Sequence, residues 1–213
     1  MEPAFIDKHK IIAICRRIYG EDLAKLAQAL CRGGIRMIEV TFDQADPDHL
    51  RKSAEAIRLI AEATDGAVVP GAGTVMTLDQ LYAAKEAGAA YIISPNTDPA
   101  VITETKALGL ISIPGAMTPS EIASAHNLGA DFVKLFPTGQ LGLGYIKAIR
   151  APISHVKLLA TGGVNEQNLA DYLAAGLSGA GISGRLTDSK LIRAGDFAEI
   201  ERRAAVFTQI AEG

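Results

Sequence analysis

The sequence predicts a (β/α)₈ barrel, a closed ring of eight parallel strands surrounded by helices. Eight short apolar runs recur along the 213 residues, and each is separated from the next by an amphipathic segment with apolar residues near i, i+3, i+4 and i+7. This regular alternation of strand and helix requires parallel pairing through crossover helices. Eight such units close naturally into a barrel of about this length.

No change of composition and no Ser- or Pro-rich linker divides the chain, so one domain is expected over residues 1–213. The rival architecture is an open, doubly wound sheet. The commonest signature of that architecture is a G-x-G-x-x-G loop after the first strand, and no such loop opens a helix there in this sequence. The closed barrel is therefore preferred.

Eight predicted strands follow one another along the chain. They are KIIAICR (residues 10–16), MIEVTF (37–42), AVVPGAG (67–73), YIISP (91–95), LISIPG (110–115), DFVKLFP (131–137), VKLLATGG (156–163) and GAGISG (179–184). Continuous apolar runs of this length are typical of strands that are buried on both faces, as in a parallel barrel.

The predicted helices lie between and after these strands. They span residues 21–34, 48–64, 77–88, 98–109, 118–129, 141–152 and 165–176, and residues 196–213 form the last outer helix. Several begin with a cap-like residue, such as Thr77, Asp98, Thr118 or Asn165. Several end in glycine, the residue that most easily adopts the left-handed conformation at a helix C-terminus. The N-terminal segment, including His9, is expected to be a tail.

Composition and charge limit the possible partners. The chain is 48% hydrophobic with a net charge of -3, so a nucleic-acid partner is not expected. No run approaches the 18 or so apolar residues of a membrane span, and the first ten residues lack the apolar core of a signal peptide. We therefore expect a cytoplasmic protein without a membrane partner. The four histidines show no metal-ligand spacing, so no metal is expected.

Lys134 is the most informative single residue, because it lies in the apolar run DFVKLFP. Side chains alternate along a strand, so Lys134 shares one face with Phe132 and Phe136, while Val133 and Leu135 share the other. Burial lowers the pKa of an amine, and a neutral lysine is a nucleophile that can form a Schiff base. The alternative is a lysine neutralised by a carboxylate for structural reasons alone.

Glu39 presents the opposite charge in a second apolar strand, MIEVTF. Burial raises the pKa of a carboxyl group, which would allow Glu39 to transfer protons to and from a bound substrate. A structural ion pair with a buried cation is the alternative.

The ends of the strands hold further candidate residues. Loops after the seventh and eighth strands, ATGGVN (residues 160–165) and GISGR (181–185), are rich in glycine, which allows a close approach of the backbone to an anion. Backbone N–H groups before a helix beginning at Asn165 would add to such a site. Phosphate sites recur at this position of barrel enzymes. Thr74 and Thr161 supply hydroxyl groups at strand ends, although both could be ordinary turn residues.

The ordered motifs GGIRMIEVTF, GAGTV, ISP, IPGAMTPSE, FVKLFP and TGGV resemble the 2-keto-3-deoxy-6-phosphogluconate (KDPG) / 4-hydroxy-2-oxoglutarate (KHG) aldolase family, from about Ile11 to Leu186. The resemblance implies a class I aldolase that uses neither a metal nor another cofactor. Such enzymes are generally homotrimeric barrels that cleave a 2-oxo-4-hydroxy acid to pyruvate and an aldehyde. The expected ligand is thus a small, phosphorylated 2-oxo acid.

The resemblance also implies roles for individual residues. Lys134 would form the Schiff base and Glu39 would be the general acid and base. The remaining implied residues line the pyruvate pocket (Thr74, Pro95, Phe136 and Thr161) or hold the substrate phosphate (Gly162, Gly163, Ser183, Gly184 and Arg185).

Two departures from the family pattern bear on the substrate. Many members read EVTLRT, with an arginine that binds the substrate carboxylate, whereas this chain reads EVTFDQ, with Asp43 and Gln44 there. A branch of the family has an arginine after the first strand, so we expect Arg16, or as second choice Arg17, to bind the carboxylate. The second departure is SGR where the family often has GGS. Arg185 would either strengthen phosphate binding or accommodate a different anion.

The sequence leaves several functions open. Within the family, the substrate could be KDPG, KHG or the galactonate-derived epimer of KDPG. Outside it, a phosphosugar isomerase or epimerase barrel would use Lys134 only as an electrostatic clamp. A noncatalytic barrel that binds a phosphorylated metabolite is the third possibility.

Overall fold

The computed structural model describes residues 1–213 and forms the barrel that the sequence predicts. One parallel sheet contains all the strands, in the order β5-β4-β3-β2-β1-β9-β8-β7-β6. The strands are β1 Ile11–Cys15, β2 Met37–Thr41, β3 Val69–Gly73, β4 Tyr91–Ile93, β5 Ile111–Ile113, β6 Gly115–Ala116, β7 Val133–Leu135, β8 Leu158–Thr161 and β9 Gly179–Ile182.

Nine strand segments make eight barrel strands, because β5 and β6 are two halves of one strand separated by Pro114. Proline has no N–H to donate to the sheet, so the ladder is interrupted there. β5 pairs with β4 on one side, while β6 pairs with β7 on the other. The N–H of Lys134 donates to the carbonyl of Pro114 at 2.8 Å across this junction. The ring of strands is thereby closed.

Helices surround the barrel. They are α1 Pro3–His9, α2 Gly20–Arg32, α3 His49–Ala63, α4 Leu78–Glu86, α5 Pro99–Ala107, α6 Pro119–Asn127, α7 Thr138–Arg150, α8 Leu169–Ala174, α9 Ser189–Ala194 and α10 Phe197–Glu212. None of them is both long and apolar enough to cross a membrane.

Three of the four predicted helix caps are confirmed. The side chains of Thr77, Asp98 and Thr118 each accept a hydrogen bond from a backbone N–H in the first turn of their helix. The helix predicted to begin at Asn165 begins four residues later, since α8 starts at Leu169. A turn precedes it, and there Asn165 still makes a cap-like contact: its Oδ1 accepts from the N–H of Gln167 at 2.9 Å, while its own N–H donates to Oδ1 of Asn168 at 2.8 Å.

Two helices were not predicted. The segment taken for a tail forms α1, whose single fully buried residue is Ile6. Ile6 packs inside the barrel with Met37, Phe132 and other inward-facing residues. Seven residues are too few to show a clear helical period in the sequence. The short α9, between the last strand and α10, escaped prediction for the same reason.

The strands divide the apolar residues between two layers. Inward-facing side chains, such as Phe132, fill the lower part of the barrel together with Ile6. Outward-facing side chains, such as Val133 and Leu135, pack against the helices. The predicted alternation around Lys134 is therefore confirmed, and its side chain lies on the inner face of β7.

Candidate active site

A cavity of about 570 Å³ opens at the C-terminal end of the barrel strands. It brings together every residue that the sequence assigned to catalysis or to binding of the 2-oxo acid. Its lining includes Lys134, Glu39, Arg16, Arg17, Thr74, Pro95, Phe136 and Thr161, together with Gly162 and Ser183 of the glycine loops.

Lys134 lies on β7 with only 9% of its surface exposed. Its ammonium group forms neither a hydrogen bond nor an ion pair within the protein, and Nζ lies 4.9 Å from the ring centroid of Phe136. Burial lowers the pKa of Lys134 below its usual value. The nearby Glu39 carboxylate opposes that shift, whereas the Arg16 guanidinium adds to it. A buried amine with a lowered pKa is available as a nucleophile.

Glu39 lies on β2, and its side chain is 1% exposed. Burial raises the pKa of this carboxyl group, with Lys134 and Arg16 acting in the opposite direction. Glu39 Oε2 has no hydrogen-bond partner in the protein, and no ion pair joins Glu39 to Lys134. The structural ion pair considered from the sequence is not formed, so both groups remain free to act on a ligand.

Two inward-facing glycines on β3 make room for the side chains beside them. A Cβ atom at Gly73 would lie 1.6 Å from Oε1 of Glu39, and one at Gly71 would lie 2.1 Å from the ring of Tyr91. Any larger residue would displace these groups. Gly71, Gly73 and Tyr91 were not identified from the sequence, because each acts through packing across strands. The GAG run in β3 was the only signal that could have indicated the two glycines.

The two arginines after β1 have different surroundings. Arg17 forms an ion pair with Asp43, with Nε 2.6 Å from Oδ2 and Nη2 3.0 Å from Oδ1. That interaction lowers the pKa of Asp43. Arg16 forms no ion pair and no side-chain hydrogen bond, so its guanidinium is the unengaged cation of the two. Asp43 thus neutralises Arg17, the second choice for binding the substrate carboxylate, and leaves Arg16, the first choice, available.

Gln44, the other residue that departs from the family pattern, supports the loop after β3. Its Nε2 donates to the carbonyl of Thr74 at 2.9 Å, and its Oε1 accepts from Gln80 at 2.8 Å. Thr74 has a φ of 56°, which is uncommon for a residue other than glycine. The hydrogen bond from Gln44 helps to hold that conformation at the mouth of the cavity.

The glycine loops line a second cavity of about 280 Å³ that shares Gly162 and Ser183 with the first. Gly162 and Gly163 have φ values of 87° and 79°, in the region that favours glycine. The N–H of Gly139 donates to the carbonyl of Gly162 at 2.7 Å, so the beginning of α7 packs against the loop. Exposed backbone in this conformation can approach an anion closely.

Arg185 and Gly184 also line this second cavity, but Arg185 is already engaged. Its Nη2 and Nε donate to the carboxylate of Glu166 at 2.7 and 3.0 Å. The guanidinium is therefore only partly available to an anion, since Glu166 occupies one edge of it. The expected helix N-terminus at Asn165 is also not at this cavity, because α8 begins at Leu169.

No group of three or more His, Cys, Asp or Glu side chains is arranged to hold a metal ion. The functional groups of the site are instead an amine, a carboxyl group, a free guanidinium and glycine-rich backbone. A (β/α)₈ barrel with a buried, unpaired lysine and a buried carboxyl group in one cavity has the groups that a Schiff-base, or class I, aldolase requires.

The profile of the aldolase family described as "KDPG and KHG aldolase" matches residues 4–203. The chain belongs to this family, and the resemblance inferred from the sequence motifs is confirmed.

Individual relatives agree with this assignment. The chain is 35% identical over 197 residues to a "2-dehydro-3-deoxy-phosphogluconate aldolase" of Treponema pallidum, covering 92% of this chain and 90% of the relative. It is also 35% identical over 202 residues to a "probable 2-dehydro-3-deoxy-6-phosphogalactonate aldolase" of Rhizobium meliloti, covering 94% and 90%. Equal identity to both means that overall similarity does not select between the two sugar acids.

A solved structure of KDPG aldolase from Legionella pneumophila superposes with a TM-score of 0.85 and 26% identity, covering 97% of this chain and 98% of the other. That protein is described as having pyruvate captured as a covalent carbinolamine intermediate. A carbinolamine is the adduct that precedes a Schiff base. This chain is therefore an aldolase of the same fold and family as the Legionella enzyme.

Proposed function

We propose that this aldolase cleaves 2-keto-3-deoxy-6-phosphogluconate to pyruvate and glyceraldehyde 3-phosphate, with Lys134 as the Schiff-base nucleophile and with residues 1–213 acting as one domain. The observation that carries the assignment of roles is the pairing of two buried groups with opposite pKa shifts. Lys134 has a lowered pKa and Glu39 a raised one, and neither is engaged by another protein group. Shifts in these directions bring the two pKa values closer together, which favours proton exchange between the amine, the carboxyl group and a bound substrate.

The reaction begins when neutral Lys134 attacks C2 of the substrate. The resulting carbinolamine loses water with a proton supplied by Glu39, which leaves a protonated imine on Nζ. Glu39, now ionised, accepts the proton of the C4 hydroxyl group. The electrons of the C3–C4 bond move toward the iminium nitrogen, so the aldehyde leaves and an enamine remains. Protonation at C3 and hydrolysis release pyruvate and free the lysine.

Arg16 is proposed to bind the substrate carboxylate. It is the arginine in the main cavity without an acidic partner, whereas Arg17 is paired with Asp43. Arginine binds carboxylates through two parallel hydrogen bonds, which would fix the orientation of the 2-oxo acid above Lys134. Thr74, Pro95, Phe136 and Thr161 are proposed to complete the pyruvate pocket.

The phosphate is proposed to bind at the glycine loops. Gly162, Gly163, Ser183 and Gly184 line the second cavity, which adjoins the main cavity. Two neighbouring cavities with shared lining suit a ligand with a reactive keto acid at one end and an anion at the other. Arg185 would contribute the part of its guanidinium that Glu166 does not occupy.

The first experiment tests the Schiff base. Incubation with pyruvate and borohydride should inactivate the enzyme and add one reduced pyruvate to the peptide containing Lys134. Lys134→Ala should show no adduct there, while Lys190→Ala, at an exposed site, should be labelled like the unaltered protein. A phosphosugar epimerase or a noncatalytic binding barrel would give no adduct, and that result would exclude the proposal.

The second experiment separates the two arginines. Arg16→Ala should lower kcat/KM for the 2-oxo acid by about 10- to 100-fold, because a charge-assisted pair to the carboxylate is lost. Arg17→Ala should have a much smaller effect, since Asp43 already neutralises Arg17. The reverse order would move the carboxylate site to Arg17.

The galactonate-derived epimer is the second candidate substrate, because a relative of equal identity carries that description. KHG, which has no phosphate, is the third. Comparing kcat/KM for the three compounds decides between them. The proposal requires KDPG to be the best substrate. A preference for KHG would argue against a role of the glycine loops in phosphate binding.

We further propose that the protein is a homotrimer. Family resemblance is the main support, and a row of exposed apolar side chains at the beginning of α4 adds to it. Met76, Leu78 and Tyr82 are 41%, 36% and 41% exposed, and Leu78 and Tyr82 are one helical turn apart. Light scattering should give three times the chain mass of 22.4 kDa. A monomer mass would contradict the proposal.

A further inference from the structure

Two polar atoms inside the barrel have no hydrogen-bond partner in the protein, the hydroxyl of Tyr91 and Oε2 of Glu39. Three other buried polar atoms share this property, on Tyr19, His49 and Ser53, but they lie beside or on α2 and α3, outside the barrel. Buried hydroxyl and carboxyl groups nearly always have partners, whether protein atoms or bound water. Two unpartnered groups within one barrel interior therefore call for a common explanation.

The two groups are placed next to each other by β3, which lies between β2 and β4. The Tyr91 ring reaches from β4 across the inner face of Gly71, and its Cζ atom, which carries the hydroxyl, is 2.3 Å from the position of a Cβ there. The Glu39 carboxylate reaches from β2 across the inner face of Gly73. Residues i and i+2 of a strand are about 6–7 Å apart.

No β3 side chain separates the two groups, because both intervening inward positions are glycine. No direct hydrogen bond joins Tyr91 to Glu39. The two groups are close enough for the Glu39 carboxylate to influence the Tyr91 hydroxyl electrostatically. A hydroxyl and a carboxylate that are close without direct contact provide the polar partners that a buried water molecule needs.

We propose that Tyr91 is a positioning residue for the acid–base Glu39, and that its hydroxyl donates a hydrogen bond to Glu39 Oε2 through one buried water molecule. This inference rests on the proposed role of Glu39 in the aldol cleavage. It assigns to the phenol a task that the reaction sequence above does not include. Tyr91 would hold the Glu39 carboxylate in place and favour the ionised form of Glu39.

The groups that face Glu39 are Lys134 from β7, Arg16 after β1, Cys15 of β1 and Tyr91 of β4. Burial raises the pKa values of Tyr91 and Cys15, so both stay protonated near neutral pH. A protonated phenol that donates toward Glu39 through the water molecule stabilises the carboxylate form. Its removal should therefore raise the pKa of Glu39 further.

The test is Tyr91→Phe, which removes the hydroxyl and keeps the ring. The pKa of Glu39 is measured by infrared titration of its protonated carboxyl band, assigned by the loss of that band in Glu39→Gln. The midpoint in Tyr91→Phe should move up by about one pH unit. The acid limb of the kcat/KM profile should move in the same direction. Tyr172→Phe, on the outer helix α8, serves as the matched control and should change neither.

The thermal midpoint distinguishes the inference from a purely structural role. If the hydroxyl is simply unsatisfied, Tyr91→Phe should stabilise the protein and leave the Glu39 titration unchanged, and this would overturn the inference. An unstable Tyr91→Phe variant with an unchanged Glu39 midpoint would overturn it as well. Failure of the proposed function looks different, because the unaltered protein would then not be labelled by pyruvate and borohydride.

Discussion

Gly73→Ala is the most direct test of how the barrel positions Glu39, the proposed acid–base group. Gly73 does not have a positive φ, so alanine can adopt its backbone conformation without strain. The nearest conflict is with Glu39, because the new Cβ would lie 1.6 Å from Oε1, 2.3 Å from Cδ and 2.6 Å from Cγ. One added methyl group therefore acts first on the side chain proposed as the acid–base group.

The size of the effect follows from these distances. Ordinary contact begins at 3.4 Å, so Oε1 must move by about 2 Å to accommodate the methyl group. A misplacement of about 1 Å in a catalytic site can reduce the rate by about 100-fold, and loss of a general acid–base gives about 100- to 10,000-fold. We expect kcat/KM of Gly73→Ala to fall by at least about 100-fold and to approach that of Glu39→Gln.

Steady-state cleavage assays with coupled detection of pyruvate would measure the change, and circular dichroism would confirm folding. Gly144→Ala is the control. Gly144 lies on the exposed face of α7, has no positive φ, and a Cβ there would meet nothing within 4 Å. Its activity should be that of the unaltered protein. If Gly73→Ala folds normally and retains full kcat/KM, the position of the Glu39 carboxylate does not depend on this glycine and the reasoning is refuted.

Two further predictions concern charge. Burial lowers the pKa of Lys134 from 10.5, so the rate of reductive labelling by pyruvate should rise with pH and reach half its maximum below 10.5; a midpoint at or above that value would contradict the inferred burial effect. Glu166→Gln removes the carboxylate that competes with a phosphate for Arg185, and it should lower KM for phosphorylated substrate about 3- to 10-fold, with little change for KHG. Equal effects on both substrates would argue against a phosphate role for Arg185.

Most of the fold could be predicted because its signals are local. Each of the eight barrel strands corresponds to one apolar run, and caps such as Thr77 and Thr118 show a pattern within four residues. The misjudged parts depend on packing instead. Helix α1 packs Ile6 into the end of the barrel, and a hydrogen-bonded turn at Asn165 and Asn168 delays the start of α8 to Leu169.

The candidate site divides in the same way. Lys134 and Glu39 could be identified because a charge inside an apolar strand is visible in the sequence. Tyr91 and Glu166 could not, since their importance depends on which residues the folded chain places beside them. The engagement of Arg17 by Asp43 is equally non-local, joining residues 26 positions apart.

The burial of Ile6 has a kinetic consequence. Helix α1 packs Ile6 into the interior at the N-terminal end of the barrel, whereas the cavity that Lys134 lines lies at the C-terminal end. A pyruvate unit attached to Lys134 would occupy the inner part of this cavity, and the aldehyde would lie between it and solvent. Product release should therefore be ordered: the aldehyde dissociates first, and pyruvate follows after hydrolysis. In product-inhibition patterns, pyruvate should then behave as the first substrate to bind in the condensation direction.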